Sequence, residues 1–390
     1  MGTALAESEQ ASVKHVVNIV LAGGLSQLES FDPKPDAPSE IRGESTAIQT
    51  AVPGMFISEW LPLLSRQAGN VAIVRGVSHQ IGIHEAALTC LHTGVKAFRN
   101  DTPSLGSIVS CWKPVEGNVP SYAAVPALPP NAGELGQRHE PFNTLGDSGR
   151  LLQLGPDLLS EDQVQEFNYR QELLTAIDWK SGTPENPTAL RQRSQAYEQA
   201  RRNLVSPHLR SLFNLDDEPA ATRAAYGKSE PGDFLLMARR LVEAGVRFVT
   251  VQLSGWDTHS DHFSTLKSLM PPLDLAVSAL IQDLRQRGLL QSMMLTVVTE
   301  FGRTPTVNTM QGRDHWPGAY SILLAGGRIR GGQVFGATDQ VAGSVQDGKC
   351  SPEDLAFTIL QELGIQPDRT YVPPSGRVLL SEGRFLNELF

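Results

Sequence analysis

Short, continuously apolar segments alternate with longer amphipathic segments along most of this chain. The apolar segments predict buried strands: HVVNIVLAGG, NVAIVRGVS, VRFVTVQL, MMLTVVTEFG and YSILLAGG. Other segments carry apolar residues at helical spacing and predict helices: ISEWLPLLSRQAG, HEAALTCLHTG, DFLLMARRLVEAG, LDLAVSALIQDLRQRG and SPEDLAFTILQELG. In the first of these helices, we expect Ser58 to begin the helix and Gly69 to end it. The alternation predicts an α/β fold in which a mostly parallel sheet is covered by helices on both faces.

The alternation is interrupted between about residues 113 and 230. This interval begins with the Pro- and Gly-rich stretch KPVEGNVPSYAAVPALPPNAGELG and continues through the polar helical pattern NPTALRQRSQAYEQARRNL. Because the strands on its two sides are needed for one sheet, we expect residues 16–390 to form a single domain with an insertion or cap at 113–230. Residues 1–15 are predicted to be an N-terminal extension, in which TALAES resembles the end of a cleaved leader.

Charge and cysteine content narrow the function classes. The 390 residues include 33 Lys and Arg against 42 Asp and Glu, a net charge of −9, and no basic run, so nucleic acid is not an expected partner. No apolar run approaches the roughly 20 residues of a membrane-spanning helix. The 3 cysteines lie far apart and predict neither a zinc ribbon nor a disulfide framework. The sequence does not indicate an oligomeric state.

Carboxylate and imidazole side chains follow the predicted strands. The residues, in strand order, are Glu29 and Asp32; His79 and His84; Asp257 and His259; and Glu300; the loop QGRDHWPG adds Asp314 and His315. Ligands of an open parallel sheet bind beyond the carboxyl ends of the strands, so these side chains are expected to converge. Imidazole with carboxylate is the ligand set of zinc and other divalent metals. The pattern predicts a divalent metal site, with zinc first and manganese, calcium or iron as alternatives.

Local explanations stay open for each motif taken alone. Asp257 and His259 are also compatible with a polar turn, Asp314 with an ion pair to Arg313, and Glu300 with one to Arg303. Asp261 and His262 are predicted to begin the next helix, where a carboxylate favours the helix dipole. The remaining histidines are expected to be structural, solvated or in the core: His15, His92, His139 and His208.

Several long blocks, in order, carry a family resemblance. They are GGLSQLESFDPKPDAPSEIRGE, ISEWLPLL, HTG, ARRLVEAGVRFVTV, WDTH, RGLL, TEFGRTP, GRDHWP and LAGGRIRGG. They resemble the signature blocks of a bacterial family called domain of unknown function 1501, from about residue 16 to the C-terminus. That family resembles the alkaline-phosphatase-like, sulfatase-like superfamily, which implies a three-layer α/β sandwich.

The chain departs from the superfamily pattern at the reacting positions. His84 stands where a sulfatase nucleophile would be, and Leu88 stands where the accompanying arginine would be. Glu300 and Phe301 occupy the Asp-His positions that end the matching strand in phosphatases, and the first strand offers Glu29 or Gln27 for its usual aspartate. Retained are the Asp257 and His259 ligand positions and the late histidine, His315.

The resemblance implies a metal-dependent hydrolase of phosphate or sulfate esters, acting on a small-molecule or glycan substrate by in-line displacement. Asp257, His259, Glu300 and His315 would hold one metal, with Asp314 and Glu29 as further candidate ligands. A metal-bound water, Ser26 or Thr258 would attack. His84 would be a ligand or a general acid/base. Arg303 and Arg313 would grip ester oxygens.

The alternative function is a phosphatase-like scaffold that has lost catalysis and binds a glycan, an anion or a protein partner. The absent nucleophile and Phe301 favour it. Family members commonly carry a twin-arginine leader, so the resemblance implies a periplasmic or secreted protein, and otherwise a cytoplasmic one. The printed start, MGTALAESEQ, shows no export signal.

Overall fold

The computed structural model describes residues 11–96, 102–115, 119–129, 131–144, 169, 211–371 and 378–390. The helices within these residues are α1 (Ser39–Arg42), α2 (Pro62–Arg66), α3 (His84–Thr93), α4 (Leu105–Trp112), α5 (Ala220–Tyr226), α6 (Glu230–Glu243), α7 (His262–Gln286) and α8 (Pro352–Glu362). The strands are β1 (His15–Leu21), β2 (Ala47–Gln49), β3 (Phe56–Ser58), β4 (Val71–Val77), β5 (Tyr122–Val125), β6 (Phe142–Asn143), β7 (Phe248–Leu253), β8 (Met293–Val298), β9 (Gly302–Arg303), β10 (His315–Trp316), β11 (Tyr320–Gly326), β12 (Gln333–Phe335), β13 (Ala337–Thr338), β14 (Val345–Asp347), β15 (Thr370–Tyr371) and β16 (Val378–Leu379).

An eight-stranded sheet forms the centre of the fold, in the order β12-β4-β11-β8-β1-β7-β5-β6. β1 pairs in parallel with β7 on one side and with β8 on the other. β11 is antiparallel to both of its neighbours, β4 and β8. Between β8 and β11 the chain turns back at the same edge of the sheet, without a crossover helix, so β11 must run in the opposite direction. The predicted α/β class and mostly parallel sheet are confirmed.

Helices cover both faces of the sheet. Val17, Ile19 and Leu21 of β1 belong to an apolar cluster that also contains buried residues of α6 and α7. Val16 and Val20 point to the other face and join a second cluster with buried residues of α4 and α8. Alternate side chains of one strand therefore enter two cores, which explains why β1 reads as a continuous apolar run. The result is three layers.

The predicted helix from Ser58 to Gly69 is wrong at both ends: α2 ends at Arg66, and Gly69 lies in the separate 3-10 turn Ala68–Asn70. Ser58 pairs with Ala47 in the β2–β3 ladder, and α2 begins only at Pro62. Proline suits the first helical position because its fixed φ is already helical and its missing N–H is not needed there. The carboxylate of Asp274, on α7, accepts hydrogen bonds from the backbone N–H groups of Leu63 and Leu64 in the first turn of α2. A distant residue thus caps this helix.

Helix α7 is longer than its apolar pattern predicts. It begins at His262 and continues through Pro271 and Pro272, residues that normally end a helix. Asp261 precedes it, as predicted, but has a left-handed backbone and makes no side-chain cap. Within the described residues, no helix combines the length and apolar character needed to cross a membrane.

The interval 113–230, treated above as an insertion or cap, contributes to the sheet itself. β5 pairs in parallel with β7, and β6 pairs with β5. The short apolar run YAAV forms β5, so the sheet extends into this interval. The polar helical pattern at 186–204 lies outside the described residues, as do residues 1–10 of the N-terminal extension.

Replacing Ile19 in the centre of the sheet tests the two-faced core. Ile19 is fully buried, so Ile19→Ala should lower the free energy of unfolding by about 2–5 kcal/mol, because a cavity remains where the side chain was removed. Urea unfolding monitored by circular dichroism measures the loss. Lys267→Ala, on the exposed side of α7, is the control and should change the value by less than about 0.5 kcal/mol. An Ile19→Ala loss no larger than the control's would contradict this packing.

Candidate metal centre

Side chains from three separate segments meet at the carboxyl edge of the sheet. Donor atoms of His84, Asp257 and His315 all lie within 4.8 Å of one another. Asp257 follows the end of β7, His84 is the first residue of α3 after β4, and His315 lies in β10. β10 pairs with β9, which follows β8, so a short ladder fixes the position of His315. The parallel strands therefore deliver their loops to one place.

Four donor groups face each other at this edge. The Oδ1 atom of Asp257 is 3.2 Å from Nε2 of His315 and 3.1 Å from Nε2 of His259. The Oδ2 atom of Asp257 is 3.4 Å from Nε2 of His84. The Nε2 atoms of His259 and His315 are only 2.9 Å apart. His259 therefore joins the compact group on the side of Asp257 and His315.

The other ring nitrogen of each imidazole faces an acceptor. Nδ1 of His84 is 2.7 Å from Oε1 of Glu300, Nδ1 of His259 is 2.6 Å from Oδ1 of Asp314, and Nδ1 of His315 is 2.8 Å from the carbonyl oxygen of Gly82. Each Nδ1 is therefore placed to donate its proton outward, an arrangement in which the Nε2 of a neutral ring offers its lone pair to a cation. This arrangement of imidazole and acceptor is typical of metal-binding histidines.

The donor set fits a divalent cation. When both rings are neutral and protonated at Nδ1, the Nε2 lone pairs of His259 and His315 face each other and repel. A cation bound between them would remove this repulsion. Nε2 of His84 is buried and has no hydrogen-bond partner among the residues that the structure describes. Three imidazole nitrogens and one carboxylate oxygen are the ligand types and the number that tetrahedral zinc prefers.

Arg303 keeps Asp257 ionised. Its Nη2 atom lies 2.6 Å from Oδ1 of Asp257. Partial burial alone acts to raise the pKa of Asp257, but the hydrogen bond and the charge of Arg303, with further contributions from the neighbouring His315 and His84, lower it to about 2. The carboxylate is therefore a charged donor at neutral pH. Arg303 itself is fully buried and also donates to backbone carbonyls, so the structure does not place it for gripping a substrate.

Glu300 and Asp314, both predicted as ligands, lie behind imidazoles. Oε1 of Glu300 accepts the N–H of Gly23 at 2.8 Å and also faces Nδ1 of His84. Asp314 faces Nδ1 of His259 and does not pair with Arg313. These carboxylates orient the rings and strengthen their basicity.

Glu29 and Arg313 form a buried ion pair away from the converging donors. Nη2 of Arg313 lies 2.6 Å from Oε1 of Glu29, and both side chains are fully buried. The remaining guanidinium contacts of Arg313 are to backbone carbonyls, including that of Ile41. The structure thus does not bring Glu29 to the converging donors, nor does it leave Arg313 free for an ester.

The two hydroxyl candidates are buried. Ser26 is 1% exposed and lies beside Glu29, and Thr258 is 4% exposed. Oγ1 of Thr258 lies 2.5 Å from Nδ1 of His262. Neither hydroxyl faces the group formed by the histidines and Asp257.

Two other candidates at strand ends have their polar atoms occupied. Nδ1 of His79 accepts the N–H of Ile81, and Nε2 donates to the carbonyl of Glu300 at 2.6 Å. Asp32 pairs with Lys34 and Arg75. His208 lies outside the described residues. The contact of His262 with Glu29 was not predicted from the sequence, although His262 lies on the buried face of α7, which was a usable signal.

Two glycines permit the close approach of the loops. A side chain at Gly23, whose φ is +122°, would place its Cβ 2.4 Å from the backbone nitrogen of Asp257. At Gly312 the Cβ would lie 1.9 Å from the carbonyl oxygen of His259. The 257–259 segment is thus packed at both of its ends against positions that only glycine accommodates.

Residues 13–390 match the protein family described as "Protein of unknown function (DUF1501)". The chain belongs to this family. The resemblance inferred from the quoted blocks is confirmed at that level. No curated protein matches the sequence.

Several solved structures are similar to this family member. A sulfatase, PsFucS1 from Pseudoalteromonas sp., is 14% identical, with 92% of this chain and 69% of that chain covered and a TM-score of 0.39. A TAB5 alkaline phosphatase mutant with bound Mg is 9% identical, with 91% and 99% covered and a TM-score of 0.39. Ps i-CgsB in complex with a neocarrahexaose is 11% identical, with 91% and 72% covered and a TM-score of 0.42. At these scores, conclusions about the site rest on the residues of this chain.

The buried Glu29–Arg313 pair predicts an acid-dependent stability. Burial alone acts to raise the pKa of Glu29, but the charge of Arg313 and the hydrogen bond of His262 lower it to about 2, from the ordinary 4.5. Because the folded-state pKa is the lower one, the stabilisation is complete above pH 4.5 and is lost as the pH falls toward 2. Urea unfolding of the metal-free protein at pH 7, 4.5 and 3 should show this loss.

Glu29→Gln is the matched variant for this pH series. At pH 7 it should cost about 3–5 kcal/mol, because Arg313 is left buried without its counter-charge. The gap to the wild type should narrow as the pH falls below 4.5. Parallel curves for the two proteins between pH 7 and 3 would show that Glu29 is not the titrating group.

Proposed function

We propose that this protein is a metal-dependent hydrolase of phosphate or sulfate esters, with zinc as the metal. The observation that supports this is the convergence of four donors, His84, Asp257, His259 and His315, with the Nδ1 proton of each imidazole held by an outward acceptor. Such preorganised donors are costly to assemble, since their lone pairs repel each other unless a cation lies between them.

When bound, a divalent cation supplies Lewis acidity: it polarises an ester oxygen and lowers the pKa of a water molecule. The chain's own residues prepare the site for this. Glu300 keeps the Nδ1 proton of His84 in place, and Arg303 keeps Asp257 ionised. Because Ser26 and Thr258 are buried, we propose water as the attacking group in place of either hydroxyl.

The proposed substrate is a small-molecule or glycan ester. The predicted oxygen-binding residues, Arg303 and Arg313, are fully buried and bonded within the protein, so neither is proposed to contact the ester. The exposed edge carries Asp257, with its side chain 47% exposed, and His259, at 40%. The ester group would therefore enter from the side of these two residues.

A second candidate function is a metal-containing scaffold without turnover, which binds a glycan, an anion or a protein partner. The burial of both hydroxyl candidates and of both arginines favours it. The two functions share the same metal centre and differ in whether an ester is cleaved there. Export through a twin-arginine leader stays a prediction from the family resemblance.

Elemental analysis tests the metal centre. Purified protein analysed by inductively coupled plasma mass spectrometry should contain close to one zinc per chain, and the Asp257→Ala/His315→Ala double variant should lose it, because two of four donors are removed. His15→Ala is the control: His15 begins β1, so it lies at the opposite edge of the sheet and contacts the carbonyl of Val246. It should retain the metal. A wild type that is folded and metal-free after incubation with zinc, manganese, iron and calcium would overturn the proposal.

Ester hydrolysis distinguishes the two candidate functions. Zinc-loaded protein should cleave at least one of a p-nitrophenyl phosphate, a bis-p-nitrophenyl phosphate and a p-nitrocatechol sulfate substrate, and chelation should abolish the activity. Glu300→Gln should lower kcat/KM by about 10–100-fold, because His84 loses its charged acceptor. His15→Ala should retain full activity. Stoichiometric zinc without hydrolysis of any ester would favour the scaffold.

A further inference from the structure

Thr258 lies between two of the donor residues but turns away from them. Its neighbours in the chain, Asp257 and His259, both face the converging donors, whereas Thr258 is buried. The side chain of Thr258, the middle residue of Asp-Thr-His, therefore points into the protein. Its hydroxyl meets Nδ1 of His262 at 2.5 Å.

His262 connects that hydroxyl to a buried carboxylate. Nε2 of His262 lies 3.0 Å from Oε2 of Glu29, and both residues are buried. Glu29 is ionised, so Nε2 of His262 carries the proton and Nδ1 accepts from Thr258. The hydrogen bonds therefore run from hydroxyl to imidazole to carboxylate.

The other oxygen of Glu29 reaches the second donor-bearing segment. Oε1 of Glu29 accepts from Arg313, which directly precedes Asp314 and His315. The backbone N–H of Arg313 in turn donates to the carbonyl of Thr258 at 3.1 Å. The contacts close a ring of four residues, Thr258, His262, Glu29 and Arg313. We call this ring the Glu29 clamp.

We propose that the Glu29 clamp sets the spacing between the 257–259 segment and the 313–315 segment, and thereby sets the affinity of the metal centre. Glu29 can hold His262 and Arg313 together only at one separation of the two segments. A shift of either segment breaks a buried, charge-assisted hydrogen bond. The inference rests on the metal centre of the proposed function and assigns Thr258, His262 and Glu29 as positioning residues.

The same order of groups occurs in hydrolases whose hydroxyl is the nucleophile. Here the hydroxyl of Thr258 is on the side of its segment opposite to the donors, and only 4% of the residue is exposed. A nucleophile must reach the substrate, and Thr258 faces the core. The hydrogen bonds of the Glu29 clamp therefore position the donor segments, and Thr258 does not contact the substrate.

Zinc affinity of Thr258→Val tests the clamp directly. Valine keeps the shape of threonine but removes the hydroxyl from which Nδ1 of His262 accepts a hydrogen bond. Competition with a chromophoric chelator should show zinc binding about 10–100-fold weaker than in the wild type, because the 257–259 segment loses its side-chain connection to His262 and Glu29. The visible spectrum of the cobalt-substituted protein should also change, since the donor geometry changes. Thr258→Ser keeps the hydroxyl and should restore wild-type affinity and spectrum.

Thr296→Val is the matched control. Thr296 is also fully buried, and its hydroxyl donates to Asn18 at 2.6 Å, inside the sheet and outside the clamp. It should lose thermal stability without losing zinc affinity. If Thr258→Val does not fold, His262→Gln replaces it, because glutamine keeps a donor for Glu29 and removes the imidazole that Thr258 contacts. It should weaken zinc binding in the same way.

The outcomes separate the two proposals. If the wild type binds no metal, the metal centre is wrong, and the clamp loses its role with it. If the wild type binds zinc and Thr258→Val binds it equally well with an unchanged cobalt spectrum, the clamp proposal alone is overturned. A third outcome would also overturn the clamp proposal: Thr258→Val binds zinc normally but loses turnover, and Thr258→Ser keeps turnover. That result would indicate that the hydroxyl is a nucleophile.

Discussion

The parallel alignment of β1 with β7 and β8 is the constraint on which the site depends. β1 has Leu21 opposite Leu253 of β7 and Val20 opposite Val298 of β8, so all three strands end at the same level of the sheet. The backbone hydrogen bonds of these ladders cannot slip by one residue without turning apolar side chains from one core to the other. The loops that follow the strands are therefore delivered to one edge, where donors separated widely in sequence become neighbours.

Buried charged side chains then hold these loops in fixed positions at that edge. Arg303, Arg313 and Glu29 are fully removed from solvent, and each is bonded to an opposite charge or to backbone carbonyls. An unpaired charge in such a place would destabilise the fold by several kcal/mol, whereas a fully bonded one is tolerated. The arginines and glutamate thus tie the loops to each other. Polar residues that read as substrate-binding in the sequence serve the architecture of the site.

The orientation of the candidate metal ligands is set by the acceptors that lie behind them. A carboxylate or carbonyl behind each imidazole determines which nitrogen carries the proton, so His84, His259 and His315 all present a lone pair toward Asp257. Because the rings are already oriented, few side chains have to move when a cation binds. This raises the affinity of the site and fixes its coordination geometry. The binding strength of the three rings therefore depends on the acceptors that hold them.

The sequence by itself determined the α/β class, the strands and the edge of the sheet at which the candidate ligands converge, because burial on two faces and strand termini leave local patterns in the chain. It also brought Asp257, His259, His315 and His84 into one candidate set. Only the tertiary structure decided that Glu300 orients His84, that Glu29 pairs with Arg313, and where α2 begins. These outcomes depend on partners far away in the chain. The spacing of apolar residues shows which side of a helix or strand is buried, but it does not show which atoms contact a given side chain.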